Sequence, residues 1–232
     1  MITIVSTKVN DVLQDEAGNV IETRLGGPAY YIERIFRQED FPYQLVTGGQ
    51  MTVNIVSVPG KSQVGVVRDN GLHQEIPRII TPHVMVSTLY NEWSPNSLSG
   101  YNGDIFLDVQ GFVRDPVAGF GRKKQWVPPP GLAPLFVKAT LMELGYLPPQ
   151  FVEEQKRHGL IVTRDKFGAD IYWRGRHNFI GVDNPIETDD TLGAGDTYFA
   201  RFAIEFLNTG NPVRAAWLAA EDARKLLEER SK

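Results

Sequence analysis

The sequence predicts an α/β protein built on a mostly parallel sheet with helices packed against it. Three observations carry this. Short buried strands alternate with amphipathic helical runs through the second half of the chain, the pattern of a layered α/β domain. The run from Asp104 to Arg114 reads as a buried strand ending in polar residues, and open α/β sheets gather ligands at such carboxyl ends. The loop Asp190-Thr191-Leu192-Gly193-Ala194-Gly195-Asp196 leads directly into an apolar stripe at helical spacing: Tyr198, Phe199, Phe202, Ala203, Phe206 and Leu207.

Taken in order, the chain opens with a buried strand over 2–5, and Asp11 falls on the loop beyond it. Two strands, 12–14 and 20–25, are joined across the turn-rich segment 15–19. Gly26-Gly27-Pro28 then opens a helix, because proline suits a first helical position and Ile32, Ile35 and Phe36 continue one apolar face. Strands are expected over 43–47, 52–58, 63–68 and 84–87. Between the second and third of these lies Pro59-Gly60-Lys61-Ser62. It fails as a phosphate-binding P-loop, since Ile55 stands where the first glycine belongs and a strand, not a helix, follows. Residues 115–131 form a proline- and glycine-rich loop whose Arg122, Lys123 and Lys124 read as a solvated charge run. A strand over 135–137 leads into a helix that carries Thr140 and Glu143 on one face. Strands over 160–163 and 169–173 flank the turn 164–168. Val213, Ala216, Trp217, Ala220 and Leu227 mark a last amphipathic helix, with Trp217 expected in the core.

Composition narrows the function. The 232 residues allow one domain, 1–232, with a substantial core. A 42% hydrophobic and 22% charged content is that of a soluble globular chain, and a net charge of −4 gives no basic footprint for nucleic acid. The absence of cysteine excludes disulfides, thiolate catalysis and thiolate metal sites. The four histidines, at 73, 83, 158 and 177, lack ligand spacing. The first six residues carry no cationic leader and no apolar run is long enough to span a bilayer, so a cytoplasmic protein without membrane contact is expected.

The chemistry concentrates at 190–196. The free amides of a helix's first turn point at whatever lies ahead, and the helix dipole favours negative charge there. Glycines let a phosphate approach the backbone closely. Asp196 then stands at an anion-binding helix start, within reach of a substrate hydroxyl. This heptapeptide resembles the C-terminal motif of the ribokinase-like (PfkB) carbohydrate kinase family, Asp-Thr-x-Gly-Ala-Gly-Asp, at every fixed position.

The resemblance implies a three-layer ribokinase-like fold with a small β lid within about 11–27. It implies that Asp196 is the catalytic base and that Gly193, Ala194 and Gly195 form the anion hole. Asp11, Gly26 and Gly27 occupy the places of the family's substrate-binding aspartate and glycine pair, in order; Tyr31 stands where an asparagine is frequent. Lys138 and Glu143 match the family's Lys-x-Asn-x-x-Glu, with Thr140 at the asparagine position, which gives Thr140 and Glu143 to Mg²⁺ through water and Lys138 to the donor. Thr163 and Gly168 match parts of an ATP-contacting loop, with Asp165 at a glycine position, and Asp190 and Thr191 join the donor side. The 104–114 run is similar to a segment of a branch that includes cyclitol kinases. Together these imply an ATP- and Mg²⁺-dependent kinase acting on a hydroxyl of a small polyol, a sugar or cyclitol, and are compatible with a homodimer. Two other readings stand beside it: a nucleoside or vitamin-precursor kinase, using Tyr30, Tyr31 or Tyr90 to stack on a ring, and a non-catalytic nucleotide- or sugar-binding protein on the same fold.

Overall fold

The computed structural model describes residues 1–48, 50–56, 64–67, 73–115 and 119–231. Strand β1 (Ile2–Ser6) is followed after Thr7 by β2 (Lys8–Gln14) and β3 (Val20–Gly26), then helix α1 (Gly27–Gln38). Next come β4 (Tyr43–Val46), β5 (Gln50–Val56), β6 (Val64–Val67), β7 (Gln74–Glu75), β8 (His83–Ser87) and β9 (Trp93–Ser94). The middle of the chain holds β10 (Asp104–Asp108), β11 (Arg114–Asp115), β12 (Gly119–Lys123), β13 (Phe136–Thr140), α2 (Leu141–Leu144) and α3 (Pro149–Arg157). The last part holds β14 (Gly159–Thr163), β15 (Gly168–Trp173), β16 (Arg176–Gly181), α4 (Ala194–Thr209) and α5 (Pro212–Arg230).

The main sheet has eight strands in the order β16-β15-β14-β13-β10-β8-β1-β4. The six from β14 to β4 run parallel, and β15 and β16 extend one edge antiparallel. Parallel strands are buried on both faces and so read as near-continuous apolar runs. Here Ile2, Ile4, Met85, Phe106, Phe136 and Ile161 face a layer made by α1, α4 and α5. Val5, Val84, Val86, Leu107, Val137 and Val162 face the other layer, where α3 joins the short β9 with Trp93, the 3-10 turn ending at Leu98, and Phe112. The fold class expected from the sequence is therefore the one observed.

A second sheet, β3-β2-β5-β6, contains the hairpin expected as a lid. It is larger than expected: the strands predicted at 52–58 and 63–68 pair with the hairpin and not with the main sheet. Asp11 also moves. It lies inside β2 and not on a loop, because β2 alternates inward Val9, Asp11 and Leu13 with outward neighbours, and the carboxylate takes an inward position that an apolar residue would normally mark. The buried strand at 104–114 ends at Asp108, and the chain then turns through 109–113 before the short β11. Thr140 is the N-cap of the four-residue α2 and not a residue on its face. Lys123 is no solvated charge: its side chain is 15% exposed and pairs with Glu143. Trp217 is 57% exposed, since α5 turns Ala215, Ala216, Ala219 and Leu226 inward to approach α4 closely. The segment 59–62 lies outside the described residues.

Candidate active site

The parallel strands end in one polar row. Register pairs Ser6 with Ser87, Ser87 with Asp108, and Asp108 with Lys138, so four neighbouring strands present polar side chains at the same carboxyl-end level. All four are buried, Asp108 at 0% and Lys138 at 3% exposure. Lys138 Nζ donates to Asp108 Oδ2 at 2.6 Å, and Ser87 Oγ donates to Asp196 Oδ1 at 3.1 Å. The amino end of α4 thus sits on this row, the place where α/β sheets collect ligands.

Gly193 makes the loop's turn into α4. Its φ of +76° is left-handed, and an added Cβ would overlap the Tyr31 ring. A Cβ at Gly195 would stand 3.2 Å from Lys138 Nζ, so the glycine lets the ammonium lie against the backbone. Of the first-turn amides, that of Ala194 donates to the Thr191 carbonyl at 3.2 Å and that of Thr197 to the Gly193 carbonyl at 2.9 Å. The amides of Gly195 and Asp196 have no acceptor among the described residues. They and the helix dipole make a fitting cradle for a phosphoryl group.

Burial pushes the Asp196 carboxyl up to about 6; Lys138, the Ser87 hydrogen bond and Arg114 act downward, Asp108 upward. Burial alone would lower Lys138, but Asp108, Asp196 and Glu143 hold its ammonium above the usual lysine range. Arg114, set deep behind them, donates to the Leu89 carbonyl at 2.9 Å, and burial draws its pKa down while Glu143, Asp196 and Asp108 oppose.

Glu143 is buried and forms a capping box with Thr140: the Thr140 amide donates to Oε2 at 2.9 Å and the Glu143 amide to Thr140 Oγ1 at 3.2 Å. Its Oε1 accepts from Lys123 Nζ at 3.1 Å. The cation beside Glu143 is therefore a lysine, and among the described residues no group of three or more His, Asp or Glu side chains is placed to hold a metal ion. The oxygens of Thr140 and Glu143 are thus engaged with each other's backbone amides and with Lys123.

The lid closes the other side. Asp11, 5% exposed, is pushed up to about 6 by burial, with Arg24 and Arg230 acting downward and Asp190 and Asp196 upward. Asp190 and Asp196 both lie close enough to act on the Asp11 carboxyl. A Cβ at Gly26 would overlap the Asp11 carboxylate, and one at Gly27, with φ of +75°, would overlap the Val9 side chain. The glycine pair lets the start of α1 pass against Asp11. Val9, Met51, Val53, Ile55, Leu89 and Tyr90, with Leu192 against them, form an apolar cluster under the lid.

Thr163 lies beside Thr140 in register, its hydroxyl directed at the Ala139 carbonyl at 3.5 Å. Gly168 is required by the hairpin itself: with φ of +123°, a Cβ there would overlap the Ile180 carbonyl. Thr191 is exposed at the mouth of the loop. Sequence reading missed Ser87, Asp108, Arg114, Lys123, Arg24 and Arg230. Asp108 alone carried a signal, a charge ending an apolar strand. Two open hollows among the described residues, one beside Leu132, Phe151 and Trp173 and one beside Ile80, Ser99 and Tyr101, lie at the opposite end of the strands and hold none of these groups. No helix among the described residues is long and apolar enough to cross a membrane.

No family model and no curated protein sequence matches the chain. Solved structures do. A pyrophosphate-dependent kinase in the ribokinase family, complexed with a pyrophosphate analogue and myo-inositol, superposes with a TM-score of 0.71 at 17% identity, over 98% of this chain and 95% of that one. Arabidopsis thaliana ribokinase, complexed with ribose and ATP, gives 0.71 at 13% identity, over 98% and 92%. The nucleoside kinase of Methanocaldococcus jannaschii, an archaeal member of the ribokinase family, gives 0.66 at 14% identity, over 98% and 92%. At these identities the likeness is one of architecture, and in architecture the chain is a ribokinase-family fold.

Proposed function

We propose that the protein is a kinase that transfers a phosphoryl group to a hydroxyl of a small cyclic acceptor, a sugar or cyclitol. One observation carries this reading. A buried carboxylate, Asp196, stands at a cradle of open amides and rests on a row holding a buried ammonium, with a second buried carboxylate, Asp11, near enough on the second sheet to feel its charge.

In this mechanism Asp11 accepts hydrogen bonds from acceptor hydroxyls and holds one of them toward Asp196. The acceptor oxygen attacks the terminal phosphorus of the donor. Its proton passes to Asp196, the new phosphorus–oxygen bond forms, and the bridging oxygen leaves with the remaining phosphate. The amides of Gly195 and Asp196 donate to the phosphoryl oxygens, with Lys138 and Arg114 as the fixed positive charges behind them. The donor is a phosphoanhydride, ATP or pyrophosphate. Magnesium is expected to arrive with the donor phosphates, whose charge it would neutralise.

The apolar cluster of Val53, Ile55, Tyr90 and Leu192 beside Asp11 favours a second reading within the same chemistry, an acceptor with an apolar ring such as a nucleoside. The test is a panel of ribose, myo-inositol and adenosine, each with ATP and with pyrophosphate in magnesium buffer, read by release of ADP or phosphate. Asp196→Asn should lower turnover on the active pair by about 10²–10⁴-fold with the fold intact. Near-normal turnover in that variant refutes the assignment of the base. Tight nucleotide binding without transfer to any acceptor favours a binding protein instead.

A further inference from the structure

Asp190 opens the phosphoryl loop, and two guanidinium groups from distant parts of the chain close on it. Arg24 of lid strand β3 donates through Nη2 to Asp190 Oδ2 at 2.6 Å. Arg230, in the last turn of α5, donates through Nη1 to Asp190 Oδ1 at 3.2 Å and also to the Leu192 carbonyl. Its Nη2 donates to Tyr31 Oη at 2.7 Å, and its guanidinium lies 5.3 Å from the centre of the Tyr31 ring. The Leu192 amide returns a bond to Asp190 Oδ1 at 3.3 Å, and Tyr31 packs against Gly193. The backbone from 190 to 193 is thereby gripped at three successive points just ahead of the cradle.

The two arginines differ. Arg230 comes from a helix packed on α4 and uses both of its terminal nitrogens. Arg24 comes from the edge strand of the lid, directly across from Asp11, and its buried Nε has no hydrogen-bond partner among the described residues. The Arg24, Asp190 and Arg230 side chains are 21%, 22% and 14% exposed, so these charge-assisted bonds are shielded from most screening. Arg24 is the only one of the three carried by the lid. Lifting the lid must break its bond, while the grip of Arg230 stays with the loop.

We propose that Arg230 and Arg24 are positioning residues that act through Asp190. Arg230 fixes the phosphoryl loop, and Arg24 locks the lid onto that loop so that Asp11 faces Asp196. The consequence for turnover rests on the kinase reading; the latch itself belongs to the free protein.

Hydrogen exchange of backbone amides in the ligand-free full chain tests it, comparing wild type with Arg24→Gln, Arg24→Lys and Arg230→Gln. In Arg24→Gln the amides of β2 and β3 should exchange on the order of tenfold faster, with β10 and α4 unchanged, and lysine should restore part of the protection. Arg230→Gln should also speed exchange at 190–195. Unchanged lid protection in Arg24→Gln, or an equal acceleration in β10 and α4, overturns the latch. On an active donor–acceptor pair, Arg24→Gln should raise the acceptor KM several-fold more than it lowers kcat, and Arg230→Gln should do the reverse. The expected exchange pattern in a chain that transfers no phosphate would count against the kinase reading and leave the latch standing.

Discussion

Asp11 and Asp196 show what burial does to two carboxylates that the proposed mechanism uses in ionised form. Both are pushed up to about 6, chiefly by burial, and the Asp196 charge adds to the rise at Asp11. A base is useful only when deprotonated, and a hydroxyl-binding carboxylate accepts better when charged. The activity, expressed as kcat/KM, should therefore fall as pH drops through about 6, with a limb steeper than one titrating group gives. In Asp11→Asn the residual activity should fall with the slope of a single group. A wild-type profile flat from pH 7 down to 5 would contradict both roles.

At the scale of elements, α2 shows how one pair of residues is claimed by two readings. Thr140 and Glu143 fit the family's magnesium-organising positions by spacing, yet in the fold they cap a single helical turn and hold Lys123. The two roles separate in one variant. Thr140→Ala should cost about 1 kcal/mol of stability, the usual worth of an N-cap hydroxyl, with the magnesium concentration for half-maximal turnover unchanged. A several-fold higher magnesium requirement would return Thr140 to the metal. The lid teaches a related point. Strand β2 follows ordinary alternation, and its charged residue at an inward position is Asp11, so the break in the pattern falls on the candidate site.

At the scale of the whole molecule, the site weakens the fold. A carboxyl raised from 3.8 to about 6 binds its proton more tightly folded than unfolded. Its ionisation therefore costs nothing below pH 4, costs progressively more between 4 and 6, and costs in full above 6. Replacing Asp196 by Asn should stabilise the free protein at pH 8 by on the order of 2–3 kcal/mol, and the gain should vanish near pH 4. Urea unfolding of both proteins at the two pH values checks this. Equal stability at pH 8 would mean that Lys138 and Ser87 fully offset the burial of the charge. Such a trade is expected where a buried acid is kept for chemistry.

Much of this was legible in the chain because it depends on near neighbours. The turn at Gly193, the open amides that follow and the apolar stripe of α4 are set within a few residues, so the heptapeptide and its helix could be read directly. The parallel strands were visible as continuous apolar runs for the same reason. Thr140 and Asp11 were misplaced where a local pattern served two purposes. The rest was decided by packing. Register across the sheet lines up Ser87, Asp108 and Lys138, and Arg230 meets Tyr31 across 199 positions of sequence. Local spacing fixes which backbone amides are left open, whereas the charges brought to face them depend on partners that only the folded chain makes neighbours.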